Sequence, residues 1–81
     1  MEYLVLEIKS DPSSTANEAK VFKSIADAVK YIQEMSNSKK LLVKEKGKNI
    51  DQLAWILTER LSSVALATEH DERNHWVITA F

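Results

Sequence analysis

Apolar and polar positions alternate from Tyr3 to Lys9, with Leu4, Leu6 and Ile8 on one side and Tyr3, Val5 and Glu7 on the other. Period two predicts a first strand. The next stretch, DPSSTANEA at residues 11 to 19, is polar and holds the one proline of the chain, which predicts a loop. Lys20 to Phe22 is a candidate short edge strand. The rhythm then turns helical, with Ile25, Ala28, Val29, Ile32 and Met35 on one stripe. Ser24 and Asp27 have the spacing of a capping box, so the helix starts there and runs to about Ser36.

SNSKK breaks the stripe and leads into a second strand, Leu41 to Lys46. Gly47 ends it, and Asn49 with Gln52 forms a second capping box. Ile50, Leu53, Ala54, Leu57 and Leu61 then fall within about 100° of one another on a helical wheel, the clearest helical pattern in the chain. After Leu61 the sequence SSVALATEH becomes alternating again. DERN, residues 71 to 74, separates Val64 to His70 from His75 to Phe81 and predicts a hairpin in which His70 faces His75 and Glu69 faces Trp76.

This order, β-α-β-α-β-β, predicts an α+β two-layer sandwich, a four-stranded mixed sheet with both helices on one face. The other face would be bare. Tyr3, Val5, Leu42 and one side of the final hairpin are expected there, more apolar surface than a lone domain usually shows to water. A protein interface at Tyr3, Val5, Leu42 and Trp55 is the corresponding expectation.

Length changes the picture only in scale. The chain has 81 residues, enough for one small domain over residues 1 to 81. Such a chain buries only about 60–65% of its unfolded surface, so a homodimer would add useful stability. The absence of cysteine removes disulfides, thiolate metal ligands and cysteine nucleophiles, and fits a reducing cytoplasm. MEYLVLEIK has neither the basic start nor the apolar run of a secretory signal, and no segment approaches the roughly 18 apolar residues of a membrane span. The expectation is a cytoplasmic protein.

The net charge of -1 gives no overall pull toward nucleic acid, but Lys39, Lys40, Lys44, Lys46 and Lys48 stand against Glu45 alone. Gly47 sits among them. A strand passing through a glycine into a helix start can offer backbone amides to an anion, although Asn49 and Asp51 already complement those amides. One glycine is far from a nucleotide-binding loop.

Other candidate chemistry is sparse. His70 and His75 could share a metal ion with Asp71 or Glu72, but two histidines and flexible turn carboxylates lack fixed geometry, so no metal and no cofactor are expected. No nucleophile and base stand at a catalytic spacing, so the chain does not read as an enzyme. Trp55 lies about 140° around the helix from Ile50, off the core stripe. It either packs against the first helix near Tyr31 or serves as an interface anchor or stacking platform.

LLVKEKGKNIDQL resembles the second strand, glycine turn and second helix of the Alba family of archaeal chromatin and RNA-binding proteins. Lys44, Gly47 and Ile50 occupy the places of that family's Lys-x-x-Gly-x-x-Ile, and the likeness covers residues 24 to 61. It implies a β-α-β-α-β-β fold, a dimer and non-specific nucleic-acid binding through Lys39, Lys40, Lys44, Lys46, Gly47 and Lys48. The chain departs from the pattern in two places. Lys20 and Lys23 are separated where the family has adjacent lysines, and the short acidic DERN replaces a long basic hairpin. Two expectations follow: a protein-interaction module or regulator using the bare sheet face and Trp55, or an Alba-like dimer binding nucleic-acid backbone through residues 39 to 48.

Overall fold

The computed structural model describes residues 1–9, 19–69 and 71–81. It is an α+β structure built on one antiparallel sheet of five strands. The strands are β1 (Tyr3–Ile8), β2 (Ala19–Phe22), β3 (Leu41–Val43), β4 (Ser63–Thr68) and β5 (Asp71–Ala80). They lie in the order β2-β1-β5-β4-β3. Helix α1 (Ile25–Ser36) and a short helix α2 (Leu53–Ile56), entered through a 3₁₀ turn at Ile50–Gln52, complete the structure.

The sheet therefore has one strand more than the four expected, and no parallel pair. The candidate edge strand is the cause. Because β2 folds back on β1, the chain enters α1 from the opposite end of the sheet, and α1 then carries it from one edge strand, β2, to the other, β3. That reversal turns every pairing antiparallel.

Local signals account for α1. Ser24 is extended, with φ −138° and ψ 152°, and its Oγ accepts from the Asp27 amide at 3.1 Å. At the other end Asn37 is left-handed at φ 53°. Its amide donates to Glu34 and that of Ser38 to Gln33, which closes the last carbonyls in a Schellman arrangement. Ala28 and Ile32 face the sheet, fully buried.

The second helix is much shorter than its apolar stripe. Both halves of its capping box form: the Asn49 side chain accepts from the first turn, and the Gln52 Oε1 accepts from the Asn49 amide at 3.0 Å. Leu53 and Leu57 then reach the core, and the helix stops. Leu61, expected on the core stripe, is 81% exposed in a left-handed backbone at φ 68°. The Leu61 amide donates to the Ala80 carbonyl at the end of β5 and the Ser62 carbonyl accepts from the Ala80 amide, while the Ser62 amide closes the last turn on the Glu59 carbonyl. Docking onto the central strand wins over helix propensity, which is worth only a few tenths of a kcal/mol per residue.

The hairpin also shifts. Residues 71 to 74 belong to β5, Thr68 pairs with Asp71, and Trp76 lies opposite Leu66 where Glu69 was expected. His70 lies outside the described residues. The register follows from the position of β5 at the centre of the sheet, bonded to β1 as well as β4. It sets Ile78 beside both Val5 and Val64, in one buried layer. That layer, with Leu66, Trp76 and Ala80 from the sheet and Ile32 and Leu57 from the helices, is the core.

Candidate interaction surface

Alternation along each strand sends one set of side chains to the helices and the other to the far side of the sheet. Val5 is 0% exposed and belongs to the core, and Tyr3 packs against it. Both were expected on the bare face; the strand is turned over relative to that expectation. Both sides of β1 are apolar, so alternation gives the period without the phase. The phase is decided by Ile78 and Ala80, which lie beside Val5 and Tyr3 and need the same cover.

The far side therefore carries Leu4, Leu6 and Ile8 of β1, and with them Val21, Val77, Ala65 and Leu42. Their registry is regular. Val21, Leu4, Thr79 and Ser63 form one row across four strands, and Ala19, Leu6, Val77 and Ala65 form the next. Ile8 and His75 begin a third, with Leu42 beside Ala67 on its other side. Val21 is 52% exposed and Leu42 42%. Among the described residues no helix packs on this face, where Leu42 and Val21 are exposed and Leu4, Leu6 and Val77 half-buried. The alternation of β5 was a usable signal for Val77; nothing local indicated which side of β1 would face out.

Charge lies at the margins of the face. Lys44 continues β3 two residues past Leu42, and its amide donates to the Ala65 carbonyl at 2.9 Å. Glu2, hydrogen-bonded to Phe81 at the strand ends, is exposed. His75 is half-buried, and its buried Nδ1 has no hydrogen-bond partner among the described residues. Burial, then the Lys44 charge, holds its imidazole below the ordinary histidine range.

The lysine-rich stretch is divided rather than gathered into one cradle. Lys40 pairs with Glu69 at 2.8 Å, across to the end of β4. Lys48 lies over the Trp55 ring, 4.4 Å from its centroid. Lys39 and Lys40 precede the three-residue strand β3, and Lys44, Lys46 and Lys48 follow it. At about 3.3 Å per residue the two groups stand more than 10 Å apart along the sheet edge. They flank an edge strand, where lysines commonly discourage pairing with another chain.

Gly47 has φ +83° and open space where a Cβ would project, so its role is the left-handed turn. Three of the surrounding amides are engaged. Lys48 donates to Glu45, Asn49 to the Gln52 side chain and Asp51 to the Asn49 side chain. These three amides are taken up within the turn itself.

Trp55 is 65% exposed. Tyr31 is beside Phe22, with ring centroids 5.2 Å apart. The indole lines an open hollow of about 340 Å³ with Glu45, Lys48, Ile56 and Thr58. Of the candidate metal site, His70 and the side chains of Asp71 and Glu72 lie outside the description; among the described residues no three metal-ligating side chains come together. No helix of the described residues is long and apolar enough to cross a membrane.

Comparison with protein-family models, curated proteins and solved structures gave no match.

Proposed function

We propose that this chain is a small non-enzymatic binding protein, a protein-interaction module or regulator, whose working surface is the far side of its sheet. The observation that carries the reading is the run of Leu4, Leu6, Ile8, Val21, Val77 and Leu42, half-buried or exposed aliphatic groups spread over four of the five strands with no helix on them among the described residues. Burying such groups against a partner is worth roughly 25 cal/mol per Å² before association costs. The Trp55 hollow is a second, smaller candidate, less favoured because its indole is already engaged by Lys48.

The alternative is Alba-like binding to nucleic-acid backbone. It draws on Lys39, Lys40, Lys44, Lys46 and Lys48, and the engaged amides, the Lys40–Glu69 pair and the separation of the two lysine groups all count against it. Salt separates the two readings. Protein association through the sheet face should persist from about 50 mM to about 500 mM salt and vanish in Leu6→Lys. Binding of labelled duplex DNA or RNA that falls with a log–log salt slope near -3 to -4 and is lost in Lys44→Glu/Lys46→Glu would overturn the proposal.

A further inference from the structure

Resting on that reading, we infer that the occupant of the sheet face is a second copy of this chain, packed face to face about a two-fold axis that runs along β5. The strand order supplies the argument. β5 is the middle strand, with β1 and β4 on either side of it and β2 and β3 outermost. A two-fold along β5 exchanges the two halves of the sheet and keeps positions along the strands. It sets β1 of one copy over β4 of the other, twice.

The side chains on those two strands are complementary in size. β1 presents Leu4, Leu6 and Ile8, and β4 presents Ser63 and Ala65. The registers through β5 align them: Leu4 and Ser63 both pair with Thr79, and Leu6 and Ala65 both pair with Val77. Each leucine of one copy thus meets a small residue of the other, so the two surfaces interlock at the spacing of about 10 Å usual for stacked sheets. Val77 meets its counterpart on the axis.

Charge and area agree with the same arrangement. Lys44, in the row of Leu6 and Ala65, comes over Ala19 of the other copy at the rim, where its ammonium reaches water. With four residues in β2, three in β3 and about six in each of the other strands, spacings of about 4.8 Å and about 3.3 Å give a face of roughly 400 Å² in projection. Two such faces, with side-chain relief, bury on the order of 1,000–1,200 Å², the low end of specific interfaces. The dimer is accordingly a reversible one.

Sedimentation of the full chain between about 1 µM and about 200 µM tests this, in a range where interfaces of this size dissociate. Reversible dimerisation is expected, weakened about 100-fold or more by Leu6→Lys, which buries an unpaired charge twice, and likewise by Ala65→Glu. Mixing the two variants should restore a dimer, because the two-fold brings position 6 of one chain to position 65 of the other.

Other results would overturn the inference. A dimer that Leu6→Lys leaves intact lies elsewhere, and so does one whose two variants do not rescue each other. A chain still monomeric at about 200 µM is read with an apolar reporter dye. If wild type binds the dye and Leu6→Lys does not, the second copy is refuted and the sheet face stands. If neither binds it, both fail.

Discussion

Val5 and Leu6 are neighbours on β1 that differ in the face they occupy, and replacing each by alanine isolates that difference. Val5 is fully enclosed by Ile78, the helices and its own strand neighbours. Removing its two methyl groups forfeits about 1.6 kcal/mol of transfer free energy, and the cavity adds close to 1 more. A loss near 2.5 kcal/mol is a large part of the roughly 4–12 kcal/mol that holds a chain of this size. It should lower the melting temperature by about 15 °C and the urea midpoint by about 2 M. Leu6 keeps one side in water, so Leu6→Ala should cost about 1 kcal/mol or less when measured at about 1 µM, where little dimer contributes. The assay is urea unfolding followed by the fluorescence of buried Trp76, with circular dichroism as a second probe. A Leu6→Ala chain as unstable as Val5→Ala, in dilute solution, would refute the assigned phase of β1 and the exposed face with it.

Two further outcomes follow from local geometry. Gly47→Ala meets no steric obstacle but must hold a left-handed backbone, so a loss of about 1 kcal/mol is expected in thermal unfolding, and an unchanged melting temperature would contradict the turn. The imidazole of His75 is held below its ordinary pKa, so the unfolded chain binds a proton there more readily than the folded one. Stability should be full above about pH 6.5 and fall as pH drops below that value towards the folded-state pKa. His75→Gln should flatten that part of a chemical-denaturation profile against pH, and an equally steep profile in the variant would remove His75 as its source.

The local chemistry of this chain was legible without a structure. Ser24 and Asp27 fixed the start of α1, and Asn49 with Gln52 fixed the entry to the second helix, because caps are satisfied within three residues of chain. The strand character of residues 3 to 9 and the turn at Gly47 were equally local. A sheet face without a helix was also foreseeable, since right-handed crossovers place both helices on one side. Which residues line it was not.

Tertiary structure decided the phase of β1, the return of β2, the length of α2 and the register of β5. Each depends on partners distant in sequence. Leu4, Leu6 and Ile8 are as apolar as Tyr3 and Val5, so only Ile78 and Ala80, more than seventy residues away, choose between them. Leu61 continues a helical stripe, yet contacts made by residues 61 and 62 with Ala80 end the helix first. The lysines around Gly47 form one cluster along the chain and two groups in space, because a short edge strand lies between them. Period and capping are properties of neighbouring residues; face, register and grouping are properties of the sheet.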